Sequence, residues 1–203
     1  TLSNELSIST LKPKKVRFYL RGQPKHVYPL YEHLLNESVR LVLTSSEIDN
    51  KPVFCEADCI QPVGFGVSEG LLPYPANAFV GYRLLTEYFV FPQKFLFVDI
   101  DLARLPEGAR NELNLYIYLK NSDSELEHYI NASTFALGCT PMVNLFPQVA
   151  DPVRLDHTRH EYRIVPDSRR TSALEIYSVD AVKATDAAGH QFEYTPFYGI
   201  QHR

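Results

Sequence analysis

The chain has no tryptophan, a single methionine and only three cysteines in 203 residues. Cys55, Cys59 and Cys139 are too few, and odd in number, for a disulfide scaffold, and their sparsity fits a reducing compartment. No run approaches the roughly 20 apolar residues of a membrane-spanning helix, and no basic-then-apolar leader precedes the first strand-like segment. A positive surplus is lacking too. Lys and Arg number 20 against 24 Asp and Glu, a formal net charge of −4, so the footprint of a general nucleic-acid binder is missing. Nucleic-acid binding and direct membrane insertion are therefore not expected. The one methionine is Met142 and the chain opens on Thr1, from which a piece of something longer is the expectation.

What is present is an ordinary globular composition, 45% apolar and 22% charged. Thirteen Tyr and 12 Phe supply all of its aromatic content. Tyrosine in such numbers suits partly buried surfaces, where the ring packs and the hydroxyl stays wet.

Periodicity orders the elements. Val16, Phe18 and Leu20 alternate with polar neighbours, which predicts a half-buried strand over Lys15–Arg21. Val27, Leu30, Tyr31, Leu34 and Leu35 recur at helical spacing, and Pro29, tolerated only in a first turn, pushes the helix to 28–37. Ser38–Thr44 alternates as a strand, Ser45–Lys51 forms a turn, and an extended segment reaches Phe65 with Pro62 marking an edge. The sequence NAFVGYRLLTEYFVF at 77–91 predicts a helix capped by Asn77 and stopped by Pro92. Only Arg83, Thr86, Glu87 and Val90 are left for its outer stripe, and Gly81 is expected at a packing contact.

Lys94–Leu102 is apolar on both faces and predicts a central strand. The polar stretch Arg104–Arg110 then breaks the pattern. Beyond it come a strand at Leu113–Leu119, a helix at 124–137, an irregular run Pro141–Pro152, strands at 157–165 and 173–184, and a turn at Ala187–His190 into a last strand Gln191–Thr195. The order strand, helix, strands thus occurs twice. The expected fold is α+β, with two packed subdomains at 1–103 and 104–203, each a mixed or antiparallel sheet with one or two helices.

One cluster invites chemistry. In Asp156-His157-Thr158-Arg159-His160-Glu161, two histidines flanked by carboxylates would grip a divalent metal if the segment were helical, giving a metal-dependent hydrolase with Asp156, His157, His160 and Glu161. Pro152 and the run Arg163-Ile164-Val165 make the segment extended instead, which sends the two histidines to opposite faces and favours charged strand residues that pair with neighbours. Cys55 and Cys59 have no second pair and are expected as buried free thiols. No Gly-x-Ser-x-Gly elbow or phosphate loop exists, and Gly64-Phe65-Gly66 lacks dinucleotide-loop spacing. No catalytic, cofactor-binding or metal residue is therefore assigned, and no cofactor.

The remaining charges suggest surfaces. Arg83 and Glu87, one helical turn apart, make a surface pair or one enclosed by a partner. Arg154, Asp156, Arg159, Arg163, Arg169 and Arg170 form a dense band, and arginine beside Tyr162 and Tyr177 has the composition of protein interfaces. Arg83, Glu87, Arg154, His157, Arg159 and Tyr162 are the candidate partner contacts.

The stretches GYRLLTEYFVFPQKFLF at 81–97, GCTPMVNLFPQVADPVRLDHTRHEYRIVPD at 138–167 and LEIYSVDAV at 174–182 resemble the type VI secretion baseplate subunit family TssF, also called VasA or ImpG. LLPYP at 71–75 and the strand–helix opening at 16–35 resemble it as well, in collinear order over essentially the whole chain. The resemblance implies an internal segment of a longer structural subunit without catalytic residues or cofactors. It implies a cytoplasmic wedge, at the cytoplasmic face of the inner membrane, in which more than one TssF copy joins TssG, TssE and TssK around the spike hub and supports assembly of the contractile sheath. It also implies that many motif residues are core, among Tyr82, Leu84, Leu85, Tyr88, Phe89, Phe91, Phe95, Phe97, Leu145 and Phe146.

Overall fold

The computed structural model describes residues 8–45, 51–74, 77–106 and 112–195. A short helix α1 (Ile8–Leu11) precedes β1 (Lys15–Leu20), α2 (Pro24–Glu32), β2 (Ser38–Thr44), β3 (Val53–Glu56) and β4 (Ile60–Pro62). Then follow α3 (Val80–Val90), β5 (Phe97–Asp101), β6 (Asn114–Leu119), α4 (Ser124–Tyr129), β7 (Phe135–Ala136), β8 (Val182–Thr185) and β9 (Gln191–Tyr194). The fold is α+β, as the element order predicts. Every strand pairing among the described residues is antiparallel, in sheets ordered β4-β5-β1-β7, β3-β2-β6 and β8-β9.

The chain divides into compact units at 1–143 and 144–203, so the expected boundary at 103/104 does not mark the division. Backbone pairing across the polar break accounts for this. β6 lies against β2 from Ser38↔Leu119 to Thr44↔Asn114, and β7 pairs with β1 through Tyr19↔Ala136 and Leu20↔Phe135. The elements after Arg104 thereby complete sheets begun before it. Residues 107–111 of that break lie outside the described residues, as do 46–50 of the turn expected at Ser45–Lys51.

Two apolar clusters form the core of the first unit. Leu20, Val27, Leu30, Leu34, Ile60, Leu96 and Val98 make one, and Leu41, Leu43, Cys55, Ile100 and Leu102 the other, with Phe18 and Ile117 packed against both. Leu20, Leu41 and Leu43 are fully shut from water. Each such side chain contributes about 1.5–3 kcal/mol through lost apolar hydration. β5, buried along Phe97–Ile100, sits between β4 and β1 as the doubly covered strand its composition predicts. Pro62 falls on the edge strand β4, where no ladder donor is missed.

Several boundaries differ from expectation for local reasons. α2 starts at Pro24, not Tyr28, with Pro24 in its first turn and Pro29 inside it. Pro29 forfeits one hydrogen bond, and the burial of Val27, Leu30 and Leu34 on one stripe outweighs that loss. A wider π-helical turn, His33–Glu37, carries the chain into β2. The extended segment to Phe65 is cut by a 3-10 turn at Ala57–Cys59. The helix expected over 124–137 ends at Tyr129, because Asn131 caps a new 3-10 turn, accepting from Ser133 N at 2.9 Å, before β7.

The second unit is built differently. Among its described residues, 144–195, none is buried. The strands expected at 157–165 and 173–184 reduce to β8, paired with β9 in a hairpin. Asp186 closes that turn by accepting from Ala188 N at 2.9 Å and His190 N at 2.8 Å, with Gly189 at φ +89°. Without a core, extended sequence in this unit gains no ladder partner that would convert alternation into sheet.

Candidate assembly surfaces

The helix α3 is turned inside out relative to its composition. Phe79, not Asn77, precedes its first turn, and Pro92 follows its C-cap Phe91 as expected. Arg83 and Glu87 are 4% and 9% exposed, whereas Phe79, Tyr82, Leu85, Phe89 and Val90 are 58–79% exposed. The outer stripe expected at Arg83 and Glu87 is therefore the inner one, and Tyr82, Leu85, Tyr88 and Phe89 are not core; Phe95 and Phe97 are. Leu145 and Phe146 are also half-exposed.

Backbone hydrogen-bond demand explains the inversion. The loop at 64–71 crosses the charged side of α3 and brings carbonyl and amide groups that require partners once water is excluded. Arg83 donates to Val67 O at 2.7 Å and Gly66 O at 2.8 Å, and Glu87 accepts from Leu71 N at 2.8 Å. Glu87 also accepts from Lys94 Nζ, itself 2% exposed, and lies 3.7 Å from Arg83 Nε. Glu69 braces the loop from within, taking Gly64 N at 2.9 Å and Gly66 N at 2.8 Å. Gly64 has φ +103°, the left-handed region that a side chain would strain. Three charges are thus buried together, the cations Arg83 and Lys94 sharing the one carboxylate of Glu87, and Arg83 Nε is left without a hydrogen-bond partner. Gly81 is a packing contact of a local kind: a Cβ there would come within 2.3 Å of the Phe79 ring.

A second ionic cluster links β1 and β5. Asp99, opposite Arg17 in the ladder, accepts from Arg17 Nε at 2.6 Å and Nη2 at 2.8 Å, and from Lys15 Nζ at 2.6 Å. The Arg17 hydrogen bonds hold the Asp99 carboxyl below the usual carboxylate range against the opposing effect of its burial. On the three-stranded sheet, Phe54, Tyr116 and Tyr118 are about half-exposed, with Arg40 5.8 Å above the Phe54 ring. A hollow of about 230 Å³ at the start of α2 is lined by Arg21, His26, Tyr129 and Asn131 among others. His26 stacks on Tyr129 at 3.9 Å there, and no carboxylate or thiol lines it.

In the second unit, residues 156–162 form a turn and not the expected strand. Tyr162 donates from its hydroxyl to Asp156 Oδ1 at 2.8 Å, Thr158 N donates to the same oxygen at 3.0 Å, and His157 N donates to the Tyr162 hydroxyl at 3.2 Å. His157 adopts φ +57° to close it. The Thr158 amide first, then the Tyr162 hydroxyl, hold the Asp156 carboxyl below its ordinary range. Arg154, His157, Arg159, His160 and Glu161 are all exposed. Among the described residues no three His, Cys, Asp or Glu side chains are grouped to hold a metal ion. Burial, and then a hydrogen bond with Cys55, push the Cys59 thiol up to about 11, so it stays protonated and a weak nucleophile.

Of the expected contacts, then, Arg83 and Glu87 serve the interior, and Arg154, His157 and Arg159 lie on the surface beside Tyr162. The outward aromatic face of α3 was legible only as apolar spacing. Its direction had no signal along the helix itself and is set by the backbone groups of loop 64–71 that Arg83 and Glu87 meet.

Comparison with known proteins places the chain. The family model described as "Type VI secretion system, TssF" matches residues 1–203. The chain is 31% identical over 188 residues to type VI secretion system component TssF1 of Pseudomonas aeruginosa strain PAO1, covering 90% of this chain and 30% of that protein. It is also similar, at 30% identity and a TM-score of 0.62, to a chain in the solved structure of a type VI secretion TssK-TssF-TssG baseplate subcomplex. That match covers 94% of this chain and 35% of the other, so the chain spans about a third of the length of these relatives. The family resemblance is thereby shown: the chain belongs to the TssF family of the type VI secretion system.

Proposed function

We propose that the chain is a structural segment of a type VI secretion baseplate wedge and works by burying protein surface, not by catalysis. The observation that carries this is the match over 94% of the chain to part of a subunit solved within a TssK-TssF-TssG subcomplex. Its partners on this reading are TssG and TssK, then TssE and the spike hub through the rest of the subunit, with more than one TssF copy per wedge. The site of action is the cytoplasmic face of the inner membrane; among the described residues no helix is long and apolar enough to cross a membrane. The exposed Arg154, His157 and Arg159, with Tyr162 holding their turn, are the polar contacts we assign to partner recognition.

The test is co-purification. The subunit carrying this segment should bring down TssG and TssK, and a subunit lacking residues 1–203 should not support sheath assembly. Functional baseplates built without the segment would end the proposal. Elemental analysis of untagged protein addresses the hydrolase alternative: stoichiometric metal bound through Asp156, His157, His160 and Glu161 would favour it over the structural role.

A further inference from the structure

The sign of the charge reverses locally in the first part of the sequence. Between Glu5 and Glu32 stand Lys12, Lys14, Lys15, Arg17, Arg21 and Lys25 and no Asp or Glu, in a chain of formal net charge −4. Lys15 and Arg17 are engaged by Asp99. Arg21 and Lys25 make no ion pair among the described residues. Arg21 lines the hollow of about 230 Å³ at the start of α2, and Lys25 places its Nζ 5.4 Å from the ring of Tyr129, which lines it too.

The hollow has fixed walls. Arg21 N donates to Thr134 O at 2.8 Å, joining the end of β1 to the turn before β7, and the stack of His26 on Tyr129 joins α2 to α4. Arg21 and Gln23 contribute side-chain N–H donors to the lining. Asn131 has its acceptor oxygen taken by Ser133 N at 2.9 Å and Ser133 Oγ at 2.6 Å, and no Asp or Glu lines the hollow. His26 Nε2 is shut from water with no hydrogen-bond partner among the described residues, and a buried polar atom of that kind calls for one.

Size and chemistry narrow the ligand. The volume lies below the roughly 300–1,000 Å³ of small-molecule and cofactor pockets, and suits one or two side chains of a peptide. A phosphate seat at a helix start is made by several free backbone amides. Here Pro24 has none, and His26 N and Val27 N both donate to Gln23 O, at 2.9 and 3.0 Å. What remains is the planar guanidinium fork of Arg21, which matches a carboxylate, with Val27 and Ile130 as hydrocarbon for the stem of an acidic side chain. We propose that this hollow is a contact site for an acidic peptide segment of a protein partner, its carboxylate held by Arg21 and flanked by Lys25 and Gln23. This deepens the wedge reading by giving the chemistry of one contact in the first unit, and rests on that reading for the partner being a protein.

Fluorescence anisotropy of a labelled peptide of alternating Glu and Leu, titrated with the 203-residue chain, tests it. That peptide should bind about tenfold tighter than its Gln-Leu counterpart. Arg21→Gln should weaken binding about tenfold at an unchanged urea midpoint, and Lys25→Gln less. Arg21→Lys, which keeps the charge without the fork, should fall between wild type and Arg21→Gln. Arg104→Gln, the same loss of charge at another exposed position, should leave binding as it was. No saturable binding, equal binding of the two peptides, or equal losses in Arg21→Gln and Arg104→Gln would overturn the site. So would displacement of the peptide by millimolar inorganic phosphate but not by millimolar glutarate at equal ionic strength. Co-purification, scored separately, keeps the two claims apart. A chain that ignores the peptides while a subunit carrying this segment still brings down TssG and TssK removes only this site, and loss of that co-purification by the wild-type subunit counts against the wedge reading itself.

Discussion

α2 and α3 are both short amphipathic helices of the first unit, and they face opposite ways. α2 buries Val27 and Leu30 against Leu20, Ile60 and Val98, leaving its polar side in water. α3 buries Arg83 and Glu87 against a loop and leaves Tyr82, Leu85 and Phe89 outside. Periodicity measures how well two faces are separated, not which of them the chain covers. For α2 the neighbour is the apolar face of a sheet, and hydration of hydrocarbon decides. For α3 the neighbour is irregular backbone whose polar groups need donors and acceptors, and their desolvation cost outweighs the apolar gain.

If that contrast is right, the most damaging change should be in the buried charges of α3. Glu87→Ala strips Lys94 and Arg83 of their shared carboxylate and should cost about 3–5 kcal/mol in chemical denaturation. A loss below 1 kcal/mol would show the network to be ornamental. Leu30→Ala should follow at about 3 kcal/mol, since it opens a cavity among Val27, Leu34 and Val98.

Smaller still is the Asp99 link, because its partners Lys15 and Arg17 keep 58% and 38% of their side chains exposed. Asp99→Asn should cost about 1–2 kcal/mol at neutral pH. Its folded pKa is lowered, so the contribution is present above the ordinary carboxylate range and is lost as pH falls through the depressed value. Urea midpoints measured from pH 6 down to pH 2 should converge for wild type and variant. Least affected should be Leu85→Ser on the outer face of α3, within about 0.5 kcal/mol. A cost comparable to Leu30→Ala would mean that this face is packed within the chain after all, and the contrast between the helices would disappear.

Strands with near neighbours were the most legible elements. β1, β2 and β6 coincide almost residue for residue with the spans their alternation marks, although β2 buries Leu41, Val42 and Leu43 in succession and leaves Val39 half-exposed. The doubly apolar β5 and the edge position of Pro62 followed from the same rule. The segment at 157–165 shows its limit: Ile164 and Val165 look extended, but Asp156 and Tyr162 draw the backbone into a turn for which no partner strand competes. The polar break at Arg104–Arg110 likewise resembled a boundary, and β6 crosses it to pair with β2.

By itself the sequence determined the α+β class, the positions of most paired strands, the family through its long motifs, and the lack of a recognisable catalytic motif. These depend on local spacing and on residue identity, both written along the chain. Tertiary structure alone decided that Arg83, Glu87 and Lys94 lie inside and the aromatic stripe of α3 outside. That choice turns on which polar backbone groups of loop 64–71 come to rest against the helix, and a pattern along one segment carries no record of what arrives from another.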